Sequence, residues 1–170
     1  MSEANGALSG DPGGQGTTLT ALIVHPGASE RAALRAMLGC GDRIRVVAVT
    51  GCGAEAVALA HRMRPTVTLL DDQVRAPDDR DLVRALAGRS QVIIMTGTTD
   101  RRSITALLRA PVCGCLVHGH FDAADLRGAV RAVAAGLGWL SPVAVAAASW
   151  ALRTRPAGCS DQPGPAGREL

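Results

Sequence analysis

The 170 residues are enough for one hydrophobic core of ordinary size and too few for two full domains. Apolar residues make up 47% of the chain and aromatics only 2%, so a core must come from small aliphatic side chains in regular layers; the net charge of +3 includes no basic block interleaved with aromatics that would track a nucleic acid. All 18 basic residues are arginine, which excludes any mechanism that needs a lysine ammonium.

Five cysteines, at 40, 52, 113, 115 and 159, form no disulfide framework, and no signal peptide opens the chain, so a reducing cytoplasm is expected. No apolar run reaches the about 18 residues that a membrane-spanning helix needs.

Residues 1–18 are rich in glycine and small polar groups and predict a leader without fixed structure, as do residues 155–170 at the other end. Between them short β-branched runs alternate with helix-length segments, the pattern of βα units around a parallel sheet. The strand candidates are TALIVH (20–25), IRVVAV (44–49), TVTLLD (66–71), QVIIMT (91–96) and VCGCLVH (112–118). All are nearly continuously apolar, as strands covered on both faces should be. Leu34, Met37 and Leu38 share one face of the first helix, and Ile104, Leu107 and Leu108 one face of the fourth. The fifth helix has Phe121 as a staple, Asp122 and Asp125 at capping-box spacing, and the stripe Leu126, Val130, Val133. Ser141 and Pro142 supply an N-cap and a first-turn proline for a sixth helix outside the five βα units.

Ligands of an open parallel sheet bind just beyond the carboxyl ends of its strands. Those ends carry His25, Asp71 with Asp72, Thr96, and His118 followed by His120. The chemical puzzle is TVTLLDDQV, where an apolar strand runs into two adjacent carboxylates, because an unpartnered buried charge is costly.

From Leu19 to about Leu152 the chain resembles the receiver domain of bacterial response regulators, in particular the NarL/FixJ kind joined to a LuxR-type helix-turn-helix. The likeness rests on RAALRAML (31–38), GAEAVALA (53–60), PTVTLLD (65–71), VIIMT (92–96), GCLVH (114–118) and DLRGAVRAVAAGLGWLSP (125–142). It implies a flavodoxin-like (βα)₅ doubly wound sheet of strand order 2-1-3-4-5, with a receiver-like domain over 19–138 and a linker helix over 139–154. It also implies that Asp71 stands where such domains accept a phosphoryl group from a kinase histidine, and Thr96 where a hydroxyl contacts that group. The other positions depart from the pattern. His25 and Pro26 replace the acidic pair that holds Mg²⁺, His118 replaces the lysine, and Cys115 replaces the aromatic switch residue.

Magnesium requires oxygen ligands, and phosphoryl transfer depends on cancelling charge at the equatorial oxygens. Phosphorylation is therefore expected to be absent or very weak, with no cofactor and Mg²⁺ binding lost. Asp72, the one remaining carboxylate, should point to the opposite face from Asp71. Two imidazoles and a carboxylate (His25, Asp71, His118) are a donor set for a transition metal such as Zn²⁺, but the preferred reading is a hydrogen-bonded trio in which histidine replaces the missing cations, and no metal is expected. Cys113, Cys115, His118 and His120 look like a second ligand cluster; strand alternation instead predicts thiols facing a helix layer as small hydrophobes.

A competing signal is TGCGAEA (50–56), which fits G-x-G-x-x-A between a strand and a helix, with Asp71 20 residues beyond Gly51. It would mark a dinucleotide site, but a complete βα unit precedes it. Three functional classes follow: a receiver-type regulator that acts by binding another regulatory protein or itself, and not as an enzyme; a small-molecule or metal sensor built on the altered pocket; and a dinucleotide-binding protein. A histidine kinase is a further candidate partner. Arg101, Arg102, Arg109, Arg127 and Arg131 on the fourth and fifth helices offer a contact face, a homodimer included. Only a short Pro/Gly-rich tail follows the sixth helix, so neither a helix-turn-helix nor nucleic-acid binding is expected of this chain.

Overall fold

A computed structural model describes residues 17–40, 43–76 and 81–154. The readings for the leader and the tail fall outside these residues, Thr17 and Thr18 apart. In chain order the elements are β1 (Leu19–Val24), α1 (Ala28–Gly39), β2 (Ile44–Thr50), α2 (Gly53–Met63), β3 (Val67–Asp71), α3 (Leu82–Ala87), β4 (Gln91–Thr96), α4 (Arg101–Leu107), β5 (Gly114–Val117), α5 (Ala123–Ala134), β6 (Trp139–Leu140) and α6 (Pro142–Thr154). No helix among the described residues is long and apolar enough to cross a membrane.

The sheet is parallel throughout, in the order β2-β1-β3-β4-β5-β6. The five expected strands and their order are present, and a sixth extends the edge. Side chains alternate between the two faces, so each strand feeds two cores. Ala21, Ile23, Leu69, Ile93, Met95 and Leu116 pack toward α1 and α5, while Leu22, Val24, Leu70, Ile94, Cys115 and Val117 pack toward α2, α3, α4 and α6. This double burial explains the absence of polar alternation in these runs.

Helix faces follow the apolar spacing. Leu34 and Leu38 of α1, Ile104 of α4, and Leu126, Val130 and Val133 of α5 are all buried. Burial of side chains of this size contributes about 1.5–3 kcal/mol each. The start of α5 is a capping box: Asp125 N–H donates to Asp122 Oδ1 at 2.8 Å, and Asp122 N–H to Asp125 Oδ2 at 3.1 Å.

Residues 139–154 do not stand apart from the sheet. Trp139 and Leu140 pair with Gly114 and Cys115, and α6 folds back over α4, burying Ala144 and Ala147 completely. A two-residue strand has too little periodicity to be visible in sequence. The helix begins where Ser141 and Pro142 place it, but Ser141 contributes only its carbonyl, which accepts from Val145 N–H at 2.9 Å. Its hydroxyl makes no hydrogen bond.

Candidate functional site

Three strands deliver the site. His25 directly follows β1 and keeps its amide in the sheet, donating to Thr50 O at 3.0 Å. Asp71 is the last residue of β3. His118 follows β5, its N–H on Thr96 O at 2.8 Å, and Gly119 then turns the chain with φ of +77° so that His120 N–H returns to Val117 O. That left-handed φ is open to glycine at little cost. Because β1 pairs with both β2 and β3, these ends meet where the chain reverses its winding direction, the usual ligand position in such sheets.

The side chains of His25, Asp71 and His118 converge. His118 Nε2 lies 2.8 Å and His25 Nε2 3.4 Å from the same atom, Asp71 Oδ2. Asp71 Oδ1 accepts from Gln73 N–H at 3.0 Å, so both carboxylate oxygens are engaged. The imidazole rings meet edge to face, with centroids 5.5 Å apart. His25 Nδ1 accepts from Gly27 N–H at 3.0 Å, which leaves the ring proton on Nε2, facing the acid. Arg31 steadies this turn by donating from Nη1 to the carbonyls of His25 and Pro26, at 2.6 and 2.8 Å.

Asp71 is 3% exposed. Burial pushes its carboxyl up, but the hydrogen bonds from His118 and Gln73 N–H and the fields of His25 and His118 outweigh it, so the net shift is downward. His118 moves the other way: its hydrogen bond to Asp71 raises its pKa against partial burial, with further help from the charges of Asp71, Asp72 and Glu30. The arrangement is an ion pair braced by a second imidazole.

Asp72 turns away, as expected of consecutive residues, and joins Thr96. Thr96 Oγ1 donates to Asp72 Oδ2 at 2.6 Å, while Gln73 Nε2 donates to Asp72 Oδ1 at 3.0 Å. Thr96 is fully buried and directed at Asp72, not Asp71. Cys115 is also fully buried, and burial, aided by the Asp72 carboxylate, pushes its thiol up to about 11. It is a protonated core residue.

This donor set does not fit Mg²⁺, which takes oxygens in octahedral geometry. Two ring nitrogens surround Asp71, and both oxygens of Asp72 are taken. Zn²⁺ suits the donor types better, and His25, Asp71 and His118 are the only cluster of this kind among the described residues. However, a histidine that binds metal through Nε2 donates its other N–H to an acceptor. His25 Nδ1 faces a donor instead, the Gly27 N–H.

The cysteine–histidine cluster does not assemble. Cys115 lies in the α2/α3/α4/α6 core, whereas Cys113, one residue before β5 starts, packs against the α1/α5 core, with Sγ on Gln91 Oε1. The two thiols therefore do not share a helix layer, because regular alternation begins only at Gly114. His120 is exposed. The dinucleotide motif also lacks room: a Cβ on Gly53, at the start of α2, would meet Arg75 O at 2.4 Å, so backbone fills the place of a pyrophosphate. That motif follows β2, an edge strand. Of the five arginines, Arg101, Arg102, Arg109 and Arg131 are exposed, but Arg127 is half-buried and donates to Met37 O at 2.9 Å, tying α5 to the end of α1.

The fold and this strand-end site define a receiver-type doubly wound domain. No protein-family model matches the sequence, and no curated protein matches it. Solved structures do. A LuxR-family two-component response regulator from Aurantimonas sp. SI85-9A1 superposes with a TM-score of 0.70 at 21% identity, over 80% of this chain and 99% of that one. The response regulator ChrA of a heme-sensing two-component system gives 0.64 at 27% identity, over 85% and 70%. The receiver domain of RcsB from Salmonella enterica serovar Typhimurium, in the presence of the phosphomimetic BeF₃⁻, gives 0.67 at 14% identity, over 77% and 99%. The chain has the receiver-domain fold of LuxR/NarL-type response regulators.

Proposed function

We propose that this chain is a receiver-type signalling protein that acts through contact with another regulatory protein or a second copy of itself, without accepting a phosphoryl group. The likeness to response-regulator receivers supports the signalling role. The observation that carries the rest is the state of Asp71. An aspartate acts as a nucleophile through a free carboxylate oxygen, and here one oxygen holds a backbone N–H and the other two imidazoles. Without Mg²⁺ ligands or a lysine, little remains to neutralise a phosphoryl group in flight. The protein is not expected to turn over a substrate. Its fixed ion pair stands where a receiver would otherwise switch.

The contact surface is proposed to include the exposed Arg101 and Arg102 of α4 and Arg109 in the turn that follows it, together with α6, which lies over α4. Incubation with acetyl phosphate and Mg²⁺, followed by intact-mass measurement, tests the reading. The expected mass is unchanged. A stoichiometric gain of one phosphoryl group that disappears in Asp71→Asn overturns it.

A further inference from the structure

The sixth helix carries too little polarity for a helix at the surface. From Pro142 to Leu152 its only polar side-chain groups are the Ser149 hydroxyl and the Trp150 indole N–H, whereas a helix that covers one core normally turns charged or polar residues outward. Ala144 and Ala147 are fully buried on the inner face, yet Val145 is 48% and Leu152 70% exposed. Val145, Ala148 and Leu152 stand at i, i+3 and i+7, which makes them one apolar stripe.

Beside that stripe runs a cleft of about 460 Å³ between α6 and the end of α4, lined by Thr105, Leu108, Arg109, Ala148, Ala151 and Leu152. Its lining is mostly aliphatic and its surroundings are basic. The charged side chains of α4, of the turn after it and of α6 are Arg101, Arg102, Arg109 and Arg153, all exposed, with no acid among them. Arg102 stands one turn before Thr105 on the same face of α4. Asp100, at the N-cap of α4, is already engaged, its Oδ2 accepting from Ser103 N–H and from the Ser103 hydroxyl, each at 2.8 Å. We propose that this cleft is the docking groove for an acidic amphipathic helix of a partner protein, its aliphatic stripe on Leu108, Ala148 and Leu152 and its carboxylates on Arg102 and Arg109. The inference rests on the binding role proposed above and names the chemistry of the partner.

The chemistry of the groove selects this occupant. Backbone groups of two helices bond within each helix, so an extended peptide finds no strand edge to pair with, while a helix arrives with its own backbone satisfied. Two-fold pairing with a second copy would set these arginines against themselves, because a symmetric interface meets its own surface. A nucleic acid would use the arginines through its phosphates but leave Val145 and Leu152 uncovered. Residues 155–170 hold one large aliphatic side chain, Leu170, too few for a stripe.

The test uses the full chain and two fluorescein-labelled peptides of about 18 residues made of Glu, Ala and Leu, with leucines at i, i+3, i+7 in one and i, i+4, i+7 in the other. Each is titrated by anisotropy beside a scrambled peptide of equal composition and a single-stranded DNA oligonucleotide. At least one striped peptide is expected to bind saturably below about 1 mM, more weakly as salt rises, and about tenfold more tightly than its scramble. Leu152→Asp should weaken binding about tenfold, the scale of one buried leucine, and the double variant Arg102→Glu, Arg109→Glu about fivefold. Both variants change exposed side chains, so their melting temperatures should stay at the parent's value. The proposal is overturned if neither striped peptide binds, if the scramble or the DNA binds as well, or if either variant binds as tightly as the parent. It is equally overturned if sedimentation shows a dimer that Leu152→Asp dissociates, or if amide resonances of 155–170 move in that variant, since a second copy or this chain's own end would then hold the groove. None of these results alters the acetyl phosphate outcome, so the groove and the receiver reading fail separately.

Discussion

Asp71 and Asp72 are neighbours in sequence with the same carboxylate, yet they live in different chemistry. Asp71 ends β3 inside the sheet's protection, 3% exposed, and is held by two imidazoles and a backbone amide. Asp72 is half-buried and satisfied by neutral donors, the Thr96 hydroxyl and the Gln73 amide, beside a cavity of about 250 Å³ lined also by Leu82, Ile94 and Leu107. The difference shows how a buried charge is tolerated: where water is excluded a counter-charge is needed, and where water is near neutral hydrogen bonds suffice.

Removing the acid breaks this contrast most severely. Asp71→Ala leaves two imidazoles facing an empty position, and the expected loss is about 2–3 kcal/mol in urea unfolding, below the range for a fully enclosed pair because water reaches part of His118. An unchanged midpoint would mean that the pair adds nothing. On the other side, Thr96→Val removes only a neutral donor from a half-exposed carboxylate, and about 1 kcal/mol is expected. A loss as large as that of Asp71→Ala would erase the distinction between the two acids.

pH sharpens the comparison with a smaller effect, since the His118 side chain is 32% exposed. His118 has a raised pKa when folded, so its contribution is complete below 6.5 and fades as pH rises through the raised value. Asp71 has a lowered pKa, so its contribution is complete above 3.8 and fades as pH falls through the lowered value. The pair therefore stabilises the fold most between 3.8 and 6.5. Melting temperature should decline on the alkaline side in the parent, and the decline should be reduced in His118→Gln. The smallest effect is kinetic: Cys115, buried and pushed up to about 11, should resist alkylation of the native protein while the exposed Cys40 and Cys52 react.

Much of the architecture was legible because double burial writes itself into strands as unbroken apolar runs, and five such runs in order left few topologies. Placing His25, Asp71 and His118 at strand ends followed from the same runs. The details beyond that depend on three-dimensional neighbours. Nothing in the order of residues says that Thr96 selects Asp72, that Gly27 N–H fixes the His25 proton, or that Arg127 leaves the exposed arginine face to cap α1. The sixth strand was hidden because two residues carry no period, and the separation of Cys113 from Cys115 because β5 begins two residues later than its apolar run. Ser141 and Pro142 did mark the start of α6, while the unbonded hydroxyl could be seen only once its surroundings were built.

The bond between Asp71 and His118 holds the site together, and ring-proton NMR of His118 across pH reads it directly. The His118 midpoint is expected above 6.5 in the parent and lower in Asp71→Asn, where the negative partner is gone. A midpoint at or below 6.5 that does not respond to that substitution would contradict the account, leaving Asp71 without its counter-charge.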